Sequence, residues 1–292
     1  MAKIVPVGVL MINAFIWGVS WWPLRELQTA GLHPLWSTVI MYCFAMAIVL
    51  IYKPRVWRAL INHPQLWLLL LASGFTNVSF NWAVSISDVV RVLILFYLMP
   101  AWVVLLAWLI LKERPNRFSY FRLVLAMTGV FIVLLPSTSL KSSTLFAQSL
   151  SFADVLAILG GFTFALTQVL VKRLGETPQE ERLFAMFAGG AVLAALAAVL
   201  GIAQGWVSAL PDANAYWLTV AALLAVAFLI GNSALQYAAT RLPANTTALV
   251  MLTEIIFGSL SAVWLGAATL DAKTLLGGSL IFIAAALAAG EN

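Results

Sequence analysis

The sequence predicts an all-α integral membrane protein in which ten transmembrane helices form two inverted five-helix repeats. Three observations predict this class: an apolar composition, ten apolar runs of membrane-spanning length, and an internal repeat. Of the 292 residues, 63% are hydrophobic and 9% are charged, whereas a soluble domain carries about 25% charged residues. Because so few charges cannot cover a water-facing surface, we expect lipid to be the solvent of most of the chain.

The charges and the cysteine argue against several other classes of protein. The net charge is +5, but the basic residues stand in short clusters between apolar runs, which is typical of membrane orientation signals and not of a nucleic-acid surface. The lone Cys43 excludes a disulfide framework and a cysteine-rich metal site. Trp17, Trp21 and Trp22, with no small-residue cleavage site, favour a retained first span over a signal peptide.

Ten apolar runs are long enough to cross a membrane, since a core of about 30 Å requires about 20 helical residues. They occupy residues 6–24, 34–52, 66–86, 92–111, 118–135, 153–171, 183–203, 216–239, 244–266 and 274–290. A polar stretch at 137–151 follows the fifth run. We therefore predict a first five-helix repeat over residues 1–140, a second over 151–292, and a connecting loop at 141–150.

The distribution of lysine and arginine predicts the orientation of the chain. With a cytoplasmic N-terminus, the cytoplasmic side holds Lys3, Lys53, Arg55, Arg58, Lys112, Arg114, Arg117, Arg122, Lys172, Arg173, Arg182 and Arg241. The outer side then holds Arg25, Arg91, Lys141 and Lys273. Because cytoplasmic loops carry the excess of basic residues, this bias predicts that both termini are cytoplasmic.

The chain resembles itself when it is shifted by 155 residues. The matched pairs are Asn77 with Asn232, Asn81 with Gln236, and Trp82 with Tyr237. The first and sixth spans match at a shorter shift of about 146 residues. Since each half has an odd number of spans, the two halves must be inverted in the membrane. Inverted repeats are the architecture of many secondary transporters, which bind substrate near the midplane between the halves.

Three stretches carry a resemblance to a known family. They are "NAFIWGVSWWPLR" with Trp17-Gly18, "FYLMPAWVVLLAWLILKERPN" with Pro100 and Glu113, and "MLTEIIFGSLSAVWLG" with Glu254. These stretches resemble the first, fourth and ninth helices of the drug/metabolite transporter superfamily, of the EamA-like, ten-helix type. That family usually places a proline directly after the glutamate. Ile255 stands there instead, so we expect a straighter ninth helix.

The resemblance implies a fold and an activity. It implies ten helices in two repeats, cytoplasmic termini, the inner membrane of a bacterial cell, and export of small metabolites or drugs. Within the superfamily the chain is most similar to the YddG-type exporters of aromatic amino acids. We therefore expect a monomeric secondary exporter of aromatic or bulky apolar amino acids that works by alternating access around a midplane cavity.

The matched amides are the first candidates for substrate binding. Asn77 and Asn81 share one helix face because they are four residues apart, and the same holds for Asn232 and Gln236. An unpaired amide in hydrocarbon is costly, so these side chains should face protein or water. The alternative is that they only cross-link helices, at about 0.6 kcal/mol for each bond.

Aromatic residues near the span centres add to this candidate site. Aromatic rings there stack on planar or apolar substrates, although each of them is also explained by ordinary helix packing. The candidates are Trp17, Trp82, Tyr97, Trp102 and Tyr237.

Two further residues have a predicted role in the transport cycle. Glu254 is the acid near the middle of a span, which makes it a candidate proton carrier or a ligand for a substrate ammonium; a neutral carboxylic acid bonded between helices is the alternative. Pro100 removes a backbone hydrogen bond and frees the carbonyl of Phe96. We expect a bend there that faces protein or cavity and acts as a hinge.

The sequence shows no pattern for a cofactor, a metal or catalysis. It contains no nucleotide-binding loop, His33 and His63 each precede a proline outside any metal-ligand pattern, and no catalytic motif emerges. We expect a small-molecule substrate and the lipid bilayer as partners. Two alternatives remain: a drug or metabolite carrier of the same fold with broad specificity or with uptake, and a membrane enzyme with catalytic residues at one interface.

Overall fold

The computed structural model describes residues 4–87, 89–134, 150–267 and 272–290, and these segments consist of helices joined by short non-helical connections. Among the described residues, ten helices are long and apolar enough to cross a membrane, which confirms the predicted number. The spans are Ile4–Thr29, Pro34–Tyr52, Gln65–Ile86, Arg91–Leu111, Arg117–Leu134, Phe152–Arg173, Gln179–Ala203, Ala215–Ala239, Ala244–Trp264 and Ala272–Ala289. The second and third spans are joined by a short helix, Ala59–Asn62. Of the predicted connecting loop at 141–150, only Leu150 belongs to the described residues.

The first span is longer than its apolar run and is bent. It consists of the helices Ile4–Val19 and Trp21–Thr29, which meet at Ser20. Pro23 has no N–H to donate to the carbonyl of Val19, so the chain bends at this turn. The helix continues past residue 24 into a polar segment that ends at Thr29. A search for apolar runs does not detect this part of the helix.

The fourth span is interrupted beside Pro100, where the sequence predicts a bend. Its helix Val89–Phe96 ends before Tyr97, and the helix Met99–Leu106 follows. The carbonyl of Phe96 faces the sixth span, where a Cβ atom on Gly161 would lie only 2.5 Å from that oxygen. The bend therefore faces protein, and glycine is the residue that leaves room for the freed carbonyl.

The ninth span is also interrupted, although it lacks the proline that the family usually places at position 255. Its helices Ala244–Met251 and Thr253–Trp264 meet at Leu252, which lies 155 residues after Tyr97. No proline is needed here, because the hydroxyl of Thr253 donates to the carbonyl of Val250 at 2.7 Å and competes with the helical bonding pattern. Both halves of the protein thus contain a broken helix at the same repeat position.

Helices of the two halves are exchanged in the packing. The first span packs against the eighth and ninth, and the sixth span packs against the third and fourth. The second span pairs with the seventh, and the fifth pairs with the tenth. We call the first two groups the 1-8-9 bundle and the 3-4-6 bundle. In the repeat, the first, third and fourth spans correspond to the sixth, eighth and ninth. The 1-8-9 bundle and the 3-4-6 bundle are therefore equivalent, as an inverted repeat requires.

Ring contacts reproduce the repeat at atomic detail. Phe15 meets Phe257 edge-to-face, with centroids 5.5 Å apart and planes at 85°. Phe162 meets Trp102 in the same way, at 5.6 Å and 86°. Phe257 lies 155 residues after Trp102, and Phe162 lies 147 residues after Phe15, close to the two shifts found in the sequence. The inverted repeat is therefore a property of the packing as well as of the sequence.

Two arginines counted with the cytoplasmic loops lie buried within spans. Arg182 in the seventh span donates to the carbonyls of Val171 and Leu174 at 3.2 and 2.9 Å. Arg122 in the fifth span donates to the carbonyl of Leu287 at 3.3 Å. Each guanidinium caps the C-terminal end of a neighbouring span, where free carbonyls carry partial negative charge.

Candidate functional site

The amides of the third span bind side chains of the second span. The hydroxyl of Tyr42 donates to Asn77 Oδ1 at 2.9 Å, and Asn81 Nδ2 donates to the hydroxyl of Thr38 at 2.7 Å. Asn77 Nδ2 also donates to the carbonyl of Ser73 in its own helix at 2.8 Å. Both amides remain half-buried, so they cross-link helices and keep some access to small molecules.

Asn77 also faces the seventh span. A Cβ atom on Gly190 would lie 3.4 Å from Asn77 Nδ2 and 2.3 Å from the ring of Tyr42. Glycine at position 190 therefore makes the space that the amide and the phenol share. This small polar layer between the second, third and seventh spans is the setting of the first predicted amide pair.

The matched amides of the eighth span are more buried. Asn232 Nδ2 donates to the carbonyl of Phe228 in its own helix at 2.9 Å. Gln236 is fully buried and its Nε2 lies 3.3 Å from the sulfur of Met186, while its Oε1 accepts no hydrogen bond from any described residue. Trp17 covers this region, with its ring 4.6 Å from that of Phe228. The repeat-related amides thus have different surroundings in the two halves.

Glu254 and Tyr97 meet between the two broken helices. The hydroxyl of Tyr97 donates to Glu254 Oε1 at 2.9 Å, and both side chains are buried. Gly18 lets the first span approach, since a Cβ atom there would lie 2.5 Å from the backbone oxygen of Glu254. This bond joins the fourth span of one bundle to the ninth span of the other, at the position where each helix is interrupted.

The other predicted aromatic residues lie away from both polar groups. Trp82 packs against Trp206 and Phe152 near the predicted outer end, with centroids 5.7 and 6.3 Å away. Trp102 lies against Phe162 between the fourth and sixth spans. Tyr237 lies under the guanidinium of Arg241, 3.8 Å from the ring centroid, at the predicted cytoplasmic end. The structure gives each of these three a packing partner and does not bring them together.

An ion pair at the predicted outer end was not found from the sequence. Arg91 Nε and Nη2 donate to the two carboxylate oxygens of Asp154 at 2.6 and 2.7 Å. Asp154 is fully buried and forms a capping box with Ser151 at the start of the sixth span. The spacing Ser151-x-x-Asp154 is a sequence signal for that cap, but it does not identify Arg91 as the partner. Asp88, near Arg91 in the sequence, lies outside the described residues.

A second ion pair lies at the predicted cytoplasmic end. Glu113 Oε1 lies 2.5 Å from Lys172 Nζ, and Glu113 Oε2 accepts from the backbone N–H of Ala244 at 2.9 Å. A cleft of about 420 Å³ opens beside this pair and is lined in part by Asn245 and Thr246. Within the described segments, no group of three or more His, Cys, Asp or Glu residues is arranged to hold a metal ion.

Comparison with known proteins identifies relatives among membrane transporters. The model of the EamA-like transporter family matches residues 5–135 and again 151–290. An uncharacterized transporter of Helicobacter pylori strain J99 is 26% identical over 194 residues, which are 65% of this chain and 61% of that protein. An uncharacterized transporter of Vibrio cholerae is 29% identical over 136 residues, 44% of this chain and 45% of that protein. The matched segments thus span about half to three fifths of these relatives.

A solved structure shares the fold. One crystal structure superposes with a TM-score of 0.75 over 97% of this chain and 96% of the other, at 16% sequence identity. At that identity the likeness concerns the arrangement of helices and not the ligand. The ten-helix arrangement therefore exists in an experimentally determined protein.

Proposed function

Because the chain belongs to the EamA-like transporter family, we propose that it is a secondary exporter of small metabolites, specifically of aromatic or bulky apolar amino acids. The observation that carries this proposal is the pair of repeat-related helix breaks joined by Tyr97 and Glu254. Broken helices near the midplane of inverted repeats are where secondary transporters bind substrate and coupling ions. Lipid tolerates such breaks only where protein or a cavity satisfies the backbone.

Asn77, Asn81 and Trp17 support a place for the substrate. The two amides keep unused hydrogen-bonding capacity and are half-buried, and the indole of Trp17 offers an apolar face beside Phe228. An amino acid presents both a polar head and an apolar side chain, so it fits a site with both kinds of surface. We propose that Asn232 and Gln236, the matched amides of the second half, also bind the substrate.

The packing suggests which parts move. Motion of the two sequence halves as rigid bodies would separate the first span from the eighth and ninth, and the sixth from the third and fourth, which are among the most extensive contacts in the fold. We therefore assign the alternating motion to the 1-8-9 and 3-4-6 bundles. The breaks beside Pro100 and at Leu252 are the proposed hinges.

Glu254 is the proposed coupling residue. A buried carboxyl on the boundary between the two bundles can bind a proton or the ammonium of a substrate in one conformation and release it in the other. Tyr97 holds this carboxyl in place through its hydroxyl.

Counterflow in proteoliposomes tests the function. Vesicles loaded with unlabelled phenylalanine should accumulate labelled phenylalanine or tryptophan from outside, and labelled threonine should accumulate less. A pH gradient should change net flux if protons are coupled. Equal uptake of all three amino acids would instead support a carrier of broad specificity, and no uptake of any of them would refute the proposed cargo.

The coupling role has a separate test. Glu254→Gln should abolish the response of net flux to a pH gradient, because an amide cannot carry a proton. Tyr97→Phe is the matched control, since it removes the hydrogen bond but keeps the carboxyl, and it should retain a pH response. If Glu254→Gln transports with the pH dependence of the wild type, this residue does not carry protons.

A further inference from the structure

One compact set of polar contacts joins the two bundles at the predicted cytoplasmic end. Glu113 follows the fourth span and Lys172 lies in the last turn of the sixth, so the 3-4-6 bundle supplies both charges. Lys172 Nζ donates to the carbonyl of Leu242 at 2.5 Å, and Glu113 accepts from the N–H of Ala244 at 2.9 Å. Leu242 and Ala244 form the turn between the eighth and ninth spans, which belong to the 1-8-9 bundle.

The backbone before Glu113 has an unusual conformation. The fourth span ends in a widened π turn, Ala107–Leu111, and Lys112 then adopts a left-handed conformation with φ 61°. Lys112 is the one non-glycine residue with positive φ in the segments that the structure describes. The carbonyl of Ala107 accepts from the N–H groups of both Lys112 and Glu113. Non-glycine residues adopt this conformation at an energetic cost, and π turns are frequent at functional sites.

We propose that Glu113 and Lys172 form a latch that holds the cytoplasmic side of the transporter closed and opens when the bundles move apart. This inference rests on the proposed function, since alternating access requires that the cytoplasmic side open to admit substrate. The latch is the pair Glu113–Lys172 together with its bonds to Leu242 and Ala244. Opening breaks both bonds to the turn while the two charges remain beside each other on one bundle.

The ion pair at the outer end has a different geometry. Arg91 and Asp154 belong to the fourth and sixth spans, which are both in the 3-4-6 bundle. Their salt bridge therefore stays within one moving body and stabilises it in every conformation. Both ion pairs thus join the fourth and sixth spans, and Glu113–Lys172 differs in that it also bonds to the turn of the 1-8-9 bundle.

The exposure of the latch suits a contact that opens repeatedly. The side chains of Lys172 and Glu113 are 21% and 30% exposed. Because water screens an exposed ion pair, this pair contributes little free energy to the closed state. Removal of one charge should therefore shift the equilibrium between closed and open states about two- to fivefold.

A single cysteine in the cleft reports the opening. Thr246 lines the cleft beside the latch and is 2% exposed, so Thr246→Cys in a Cys43→Ser background should react slowly with a membrane-impermeant maleimide added to inside-out vesicles. Glu113→Gln and Lys172→Met should each raise the labelling rate about two- to fivefold. Glu113→Ala, which also removes the acceptor for Ala244, should raise it at least as much.

A matched variant controls for the loss of a cytoplasmic ion pair. Lys53 and Glu180 are 3.4 Å apart at the same end of the molecule and connect the second and seventh spans. Glu180→Gln should leave the labelling rate unchanged. Labelling at the wild-type rate in both Glu113→Gln and Lys172→Met would overturn the latch, as would an equal increase in Glu180→Gln.

The labelling experiment needs no substrate, so it tests the latch independently of the proposed substrate. Absence of amino-acid counterflow together with faster labelling refutes the cargo and supports the latch. Normal counterflow with unchanged labelling refutes the latch alone. Should Glu113→Ala aggregate in size-exclusion chromatography, Glu113→Gln and Lys172→Met still decide the outcome.

Discussion

At the scale of single residues, the buried arginines show how polar groups are satisfied inside the membrane. Arg182 is 4% exposed and binds two carbonyls at the C-terminal end of the sixth span. Helix C-termini carry unpaired carbonyls and partial negative charge, so a buried cation is stabilised there without a carboxylate. Arg122 likewise donates to a carbonyl near the C-terminal end of the tenth span, that of Leu287.

Arg182→Met should lower the free energy of unfolding by about 1–3 kcal/mol. It removes the Arg182 donor from the carbonyl of Val171 and one of the two donors from the carbonyl of Leu174, which keeps the N–H of Thr177. Thermal unfolding in detergent measures the change. Arg173→Met is the control. Arg173 is exposed at the end of the sixth span, so its loss should have little effect on the free energy of unfolding. Equal loss of stability in both variants would contradict a capping role for Arg182.

Asn77 distinguishes substrate binding from helix cross-linking. Asn77→Leu should abolish transport while the folded protein remains extractable, because it removes the amide itself. Tyr42→Phe removes only the hydrogen bond to Asn77, which is worth about 0.6 kcal/mol, and should leave transport nearly intact. If Asn77→Leu transports as well as Tyr42→Phe, the amide is a cross-link and not a substrate ligand.

At the scale of elements, glycines set how closely helices approach. Gly189 lies against the third span, and a Cβ atom there would come 1.9 Å from the backbone oxygen of Leu70. Gly189→Ala should therefore destabilise the protein by about 1–3 kcal/mol through overpacking. Gly8 has nothing within 4 Å of its added Cβ, so Gly8→Ala should be neutral or stabilising in thermal unfolding. Equal stability of the two variants would show that the third and seventh spans separate at low cost.

The break in the ninth span makes it tolerant of proline at one position. Ile255 is the third residue of the helix Thr253–Trp264, and its N–H donates to the carbonyl of Leu252, three residues before it, at 3.1 Å. Proline in a first turn is tolerated, whereas proline in a helix interior costs about 3 kcal/mol or more. Ile255→Pro should thus fold with nearly wild-type stability, and Ser259→Pro should not.

Expression level and monodispersity in size-exclusion chromatography measure this difference. Aggregation of Ile255→Pro to the same extent as Ser259→Pro would mean that the span behaves as one continuous helix.

At the scale of the whole molecule, the sequence predicts the spans because lipid restricts the choices. Every backbone group must be satisfied within the membrane, so apolar runs of sufficient length become helices, and the repeat at 155 residues fixes their arrangement in two halves. The break at Leu252 was missed because a threonine hydroxyl causes it and not a proline. Tyr97–Glu254 and Arg91–Asp154 were missed as pairs because each depends on helices exchanged between the halves.

The orientation of the molecule is the remaining prediction at this scale. In a Cys43→Ser background, single cysteines at the exposed positions Gln204 and Asp212 should react with a membrane-impermeant maleimide added to intact cells, because the loop between the seventh and eighth spans is predicted to be outside. Cysteines at the exposed positions Arg58 and Glu176 should react only after the cells are opened. The physical reason is the excess of lysine and arginine in the cytoplasmic segments, which sets membrane orientation during insertion. The reverse labelling pattern would place the Glu113–Lys172 latch outside and turn the proposed exporter into a candidate for uptake.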